Sequence, residues 1–225
     1  MMSPGRASKG TDSMYDLAGW VAGTSRDVER RLVSGSERYA VILRRQYGVL
    51  AEEVWDACTS AARLAEWFLP ISGELRLGGR YQFEGNAGGQ ILDCDRPRLV
   101  RVSWEYGDNP AQQLTLQVSQ QPGAGAAVQL EHAGPAELAG VPEFAFGVGP
   151  GWDPALIALG TYLDADMPDK SWWLESPEAR ELIERSVRAW QQVLNDREIA
   201  TPAVIAKAAE TSLAFYTGTE PPPES

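Results

Sequence analysis

The sequence predicts an α+β fold in which helices cover one face of an antiparallel sheet. Between Gly73 and His132, short strand-like segments follow one another, separated by glycine, proline and asparagine turn formers. Several alternate strictly: Val100, Val102, Trp104 and Tyr106 share one face, and Arg101, Ser103 and Glu105 the other, as in a sheet buried on one side. Helical patterns stand before and after this run rather than between its strands, so hairpins and not parallel crossovers connect it.

In chain order, Met1 to Ser13 is polar and reads as a disordered leader. Residues 14–36 read as an N-terminal helical segment, with Leu17, Trp20, Val21, Val28 and Leu32 available for docking. Tyr39 to Tyr47 is a strand, with Val41, Leu43 and Tyr47 on one face. Glu52 to Phe68 reads as two short helices broken near Thr59-Ser60, where the Ser60 hydroxyl is placed to cap the second. The strands Gly73–Leu77, Arg80–Glu84, Gln90–Cys94, Leu99–Tyr106, Gln112–Ser119 and Ala126–His132 follow, with Gly78-Gly79 turning the first hairpin. A closing helix from Trp152 to Ala165, with Asp153 before Pro154 as cap and first residue, carries a stripe of Leu156, Leu159 and Leu163. The domain therefore runs over 37–167. An extension over 168–216 holds a helical hairpin, one helix opened by Ser176-Pro177-Glu178 and the other by Thr201-Pro202. The proline-rich tail, 217–225, reads as disordered. No internal repeat is visible.

Composition sets the class. Of 225 residues, 44% are hydrophobic and 23% charged, the balance of an ordinary globular protein. The net charge of −11 has the wrong sign for phosphate backbones or anionic membranes, so no nucleic acid is expected as a partner. No apolar run is long enough to insert into a membrane, and no secretory segment opens the chain; a cytoplasmic location follows. Cys58 and Cys94 form no CxxC and read as buried reduced thiols.

The chain resembles the SRPBCC (START-like, birch-pollen-allergen-like) superfamily, in the branch related to the activator of the 90-kDa heat-shock protein ATPase. The resemblance rests on Val54-Trp55-Asp56-Ala57, Trp67-Phe68, Leu77-Gly78-Gly79-Arg80-Tyr81, Val102-Ser103-Trp104-Glu105, Leu130-Glu131-His132 and Gly151-Trp152, in that order. It covers roughly residues 38–166, and the tail resembles an extension of some bacterial members. It implies a helix-grip fold, a curved antiparallel sheet around a long helix with a cavity between them. The two short helices would close one end. Members bind apolar molecules, some catalyse cyclisation or dehydration, and others act as co-chaperone-type modules; fold alone does not choose among these. The glycine-rich route from Ala133 to Gly149 departs from the family and leaves the start of the closing helix open.

The candidate ligand-binding residues are Trp55, Trp67, Phe68, Tyr81, Phe83, Trp104, His132, Trp152, Leu156 and Leu159. Large rings with polar handles suit an apolar pocket that must still orient its occupant. Strand alternation points Tyr81 and Trp104 inward. His132, the single histidine, is the best catalytic candidate: in phase with Val128 and Leu130, it is either a cavity imidazole that moves a proton or a core-edge histidine bonded to backbone. Arg45 either meets a ligand carboxylate or reaches water. One histidine excludes two-histidine zinc motifs, Asp93/Asp95 and Asp164/Asp166 offer too few oxygens for a hard cation, and Gly147-Val148-Gly149-Pro150-Gly151 lacks the ending of a phosphate loop. No metal and no cofactor is called for. The reading is non-catalytic binding of a small apolar molecule. The alternatives are a polyketide cyclase/dehydratase-like enzyme, or a co-chaperone-like module that meets a protein partner through the C-terminal hairpin.

Overall fold

Eight antiparallel strands form one sheet in the order β1-β2-β8-β7-β6-β5-β4-β3, in a computed structural model that describes residues 15–33, 36–137, 139–169 and 176–219. The leader Met1–Ser13 and residues 220–225 of the tail lie outside the described residues. The chain opens with helix α1 (Leu17–Ala22) and strands β1 (Thr24–Val33) and β2 (Ser36–Tyr47). Helices α2 (Ala51–Thr59) and α3 (Ala61–Trp67) follow, then β3 (Ile71–Gly73), β4 (Arg80–Phe83), β5 (Gly88–Asp95), β6 (Leu99–Trp104), β7 (Gln112–Gln120) and β8 (Ala126–Pro135). A long helix α4 (Val141–Leu163) closes the domain, and α5 (Pro177–Asp196) and α6 (Pro202–Thr217) pack as a hairpin on it and on one another. This is a helix grip, as the resemblance implied. No helix among the described residues is long and apolar enough to cross a membrane.

The N-terminal segment corrects the sequence reading. Only α1 is helical; Thr24–Val33 pairs along its length with β2, from Thr24↔Arg45 to Val33↔Ser36. Its arginines and glutamates look helical but belong to an edge strand, where charge blunts the unpaired edge. Arg30 pairs with Glu37 of β2, and Arg31 with Glu29 and with Glu131 of β8. Thr24 and Val28, on the inward side of this strand, are buried.

The break at Thr59-Ser60 is where the sequence put it. Ser60 occupies the N-cap position of α3, but its hydroxyl makes no cap bond. The amide of Ala51 at the start of α2 is met instead by Gln120 Oε1 of β7, at 3.0 Å, which ties the helix pair to the sheet. The first hairpin differs from expectation. β3 ends at Gly73, and residues 74–79 form a loop that lies along β5 through Gly78 N–H to Ile91 C=O (2.9 Å) and Ile91 N–H to Gly79 C=O (3.0 Å). Gly78 takes φ +77°, a left-handed conformation that favours glycine.

The largest difference is at α4. The helix begins at Val141 rather than Trp152, so the glycine-rich stretch is helix, with Pro150 and Pro154 inside it. Proline inside a helix frees the carbonyl four residues earlier; for Pro150 this is Phe146 C=O, which accepts from Ser212 Oγ of α6 at 2.8 Å, and beside it Tyr216 Oη of α6 donates to Gly147 C=O at 2.7 Å. Gly149 permits close approach of α5, for a Cβ there would stand 2.4 Å from Cε2 of Trp190.

Asp153 is consequently no cap. It is fully buried and accepts two bonds from Arg26 of β1, at 2.9 and 2.7 Å, one from Trp190 Nε1 at 3.0 Å and one from Ser186 Oγ. One carboxylate thus joins β1, α4 and α5. The apolar stripe of α5 is used in the same junction: Leu182, Trp190 and Leu194 are buried to 1% exposure or less.

Candidate functional site

Between the sheet, α3 and the second half of α4 lies a cavity of about 260 Å³. Period-two alternation of the strands and helical spacing in α4 build its walls. Val100, Val102 and Trp104 of β6 and Leu114 and Leu116 of β7 face it from the sheet; Trp152, Ala155, Leu156 and Leu159 face it from α4. Nine of the ten candidate ligand-binding residues border this cavity: Trp55, Trp67, Phe68, Tyr81, Phe83, Trp104, Trp152, Leu156 and Leu159. Their rings form a connected series. Phe68 stacks on Trp152 at 6.2 Å between centroids and meets Phe83 edge-on at 5.2 Å, and Trp104 meets Trp152 edge-on at 5.2 Å.

Three of the polar handles are bonded to protein. Trp67 Nε1 donates to Ala57 C=O (2.9 Å), stapling α3 to α2; Tyr81 Oη donates to Ser103 C=O (2.7 Å); Trp152 Nε1 donates to His132 Nδ1 (2.9 Å). The rings therefore offer their apolar faces to the cavity. The indole N–H groups of Trp55, 3% exposed, and of Trp104 have no acceptor among the described residues.

His132 is the tenth residue, and it stands behind the wall rather than on it. It is 2% exposed and does not border the cavity. An indole N–H can only donate, so Nδ1 is the acceptor and the ring proton sits on Nε2. From there it is given to Gln112 Oε1 at 2.6 Å. Both nitrogens are occupied, and burial pushes the imidazole down to about 3, so it stays neutral at physiological pH. Neither sequence alternative fits: the partners are side chains, and the ring orients Trp152.

Of the other titratable candidates, Arg45 lies outside the cavity and donates to Trp20 C=O (2.6 Å) and Thr24 Oγ1 (2.9 Å). Cys58 borders the cavity, and burial pushes its thiol up to about 12, which keeps it protonated. Cys94 is exposed at the rim, contrary to the buried reading: the bulge between Ile91 and Asp93 leaves it opposite Val100, on the same face as Ile91 but at the open end of β5. Sequence reasoning missed the lip. Leu75, Arg76 and Leu77, read as strand, belong to the 74–79 loop and line the mouth together with Arg96. A double glycine after alternating apolar residues signals a hairpin as readily as a lip, so only the pairing of the loop with β5 tells them apart.

The model of the family described as Activator of Hsp90 ATPase homolog 1-like protein matches residues 49–164, a span that holds every residue lining the cavity. Among solved structures, the crystal structure of CalU16 from Micromonospora echinospora is similar at 33% identity, over 76% of this chain and 98% of that one, with a TM-score of 0.65. Its solution structure gives 32% identity over 77% and 96%, with a TM-score of 0.66. A conserved protein of unknown function from Enterococcus faecalis shares the fold alone, at 14% identity over 82% of this chain and 99% of that one, with a TM-score of 0.56. No curated protein sequence matches the chain.

Proposed function

The chain belongs to the Activator of Hsp90 ATPase homolog 1-like family of the SRPBCC superfamily, and on that premise we propose that it binds a small apolar molecule in its cavity without transforming it. The observation that carries this reading is the wall itself: aromatic and aliphatic faces around about 260 Å³, with the handles of Trp67, Tyr81 and Trp152 bonded outward. A ligand oxygen would supply the acceptor that the Trp55 N–H lacks, since a buried donor left unmet costs about 1–3 kcal/mol. The absence of a role in chemistry is supported by the state of the candidate groups. His132 is neutral with both nitrogens engaged, and Cys58 is protonated. A cytoplasmic location fits the two free cysteines.

A protein-interaction role for the C-terminal hairpin has less behind it, because packing on α4 already uses most of its apolar stripe; Val204 and Phe215, 45% and 76% exposed, are left over. Native mass spectrometry of freshly purified protein tests the binding reading. A co-purified small molecule, released on denaturation and absent from an Ala155→Leu variant that fills the cavity, is the expected result. Retention of the same molecule by that variant would place its site elsewhere.

A further inference from the structure

Resting on the cavity reading above, we propose that the ligand is an amphipathic anion: an apolar body inside the cavity and an anionic head at the mouth, paired with Arg96. Among the described residues Arg96 is the one arginine with neither an ion pair nor a hydrogen bond. Arg76, the other arginine bordering the cavity, and the arginines of the adjoining strands and turn are neutralised. Arg76 pairs with Glu74 at 2.5 Å, Arg80 with Glu105 at 2.7 Å, Arg98 with Asp95 at 2.6 Å and Arg101 with Asp93 at 3.7 Å. In a chain of net charge −11, with Asp93 and Asp95 on the preceding strand, one unmatched guanidinium borders the cavity.

The chemistry of the remainder fits such a ligand. The inner wall is apolar and the lip carries Leu75 and Leu77, 40% and 61% exposed, so polarity rises only at the opening. A guanidinium fork matches a carboxylate, sulfate or phosphate monoester with two parallel bonds, whereas an uncharged head gains nothing comparable from it. The cavity volume of about 260 Å³ sits near the lower end of small-molecule pockets, roughly 300–1,000 Å³, which suits a compact apolar body such as a medium acyl chain or a bicyclic ring system. Arg45, which strand parity offers as the carboxylate partner, is engaged elsewhere; the cation at the mouth comes from the β5–β6 turn instead.

Decanoate and decanol, titrated into the full chain by isothermal calorimetry at low and high salt, separate the parts of the proposal. Decanoate is expected to bind roughly 5-fold more tightly than decanol at low salt. In Arg96→Gln that preference should vanish while decanol affinity stays unchanged, and added salt should reduce it in the wild type. Equal affinity for the two probes, or a preference that survives in Arg96→Gln, overturns the anion inference and leaves the cavity reading standing. Failure of both probes to bind the wild type overturns the cavity reading itself.

Discussion

The two faces of α4 are built to opposite ends. On one face Gly149 and Asp153, four residues apart, meet α5: the glycine admits the Trp190 ring and the carboxylate takes its N–H, together with Arg26 and Ser186. On the other, Trp152, Leu156 and Leu159, also at helical spacing, border open volume. The first face spends its special residues on closeness, and its one charge is fully paired. The second holds large rings back from the space by bonding their polar ends outward. The same helix therefore serves as the floor of a cavity only because its back is clamped. All the cavity residues fall within the span of the family model, whereas the partners of Asp153, namely Arg26, Ser186 and Trp190, fall outside it. The clamp is thus supplied by the N-terminal strand and the C-terminal extension.

The largest expected effect comes from breaking the clamp. Asp153→Ala leaves Arg26 buried without its carboxylate and strands the Ser186 and Trp190 donors, at a cost of about 3–5 kcal/mol. Urea unfolding should show this as a lower midpoint. A loss under about 1 kcal/mol would mean that the junction is not what holds α4.

A paired substitution on the two faces sharpens the contrast. Gly149→Ala pushes a methyl to within 2.4 Å of the Trp190 ring and should cost about 1–3 kcal/mol, even though alanine is the better helix former by about 1 kcal/mol. Ala155→Leu adds more carbon, but into the cavity. Its stability should stay within about 1 kcal/mol of wild type, while affinity for decanol falls at least about tenfold by calorimetry. Equal destabilisation by the two would erase the distinction between the faces.

The smallest effect concerns the histidine behind the wall. Its folded value of about 3 lies below the ordinary 6.5, so between those limits the unfolded chain binds more protons than the folded one. Its contribution is complete above about pH 6.5 and is lost as pH falls toward 3, at up to about 1.4 kcal/mol per pH unit. His132→Asn keeps an oxygen acceptor for Trp152 and removes the titration. Unfolding free energy of that variant should fall less steeply than wild type between pH 6 and 4; identical slopes would contradict the buried neutral imidazole.

The contrast between the faces also explains what was legible in the sequence. The cavity wall was readable because strand alternation and helical spacing determine which way a side chain points: Tyr81 and Trp104 face inward as their parity says, and Trp67-Phe68 ends α3 where the helix signals stop. The clamp was not readable. Gly147, Gly149, Pro150 and Gly151 argue locally against helix, and only Trp190, Ser212 and Tyr216, some forty or more residues later, reverse that preference by packing against the glycines and bonding the carbonyls of Phe146 and Gly147. The charged stretch Arg26 to Arg31 reads as helix until its edge position and its partners in β2, β8 and α4 are known. His132 had the right face but the wrong depth, because parity cannot tell a lining residue from one hidden behind a tryptophan.

Indole ¹H–¹⁵N spectra recorded while decanol is added to the full chain test the central claim most directly, since tryptophans report from both faces at once. Saturable shifts of the Trp55, Trp67, Trp104 and Trp152 resonances, with that of Trp190 unmoved, are the predicted result. Shifts centred on Trp190, or none at the four cavity tryptophans, would contradict it.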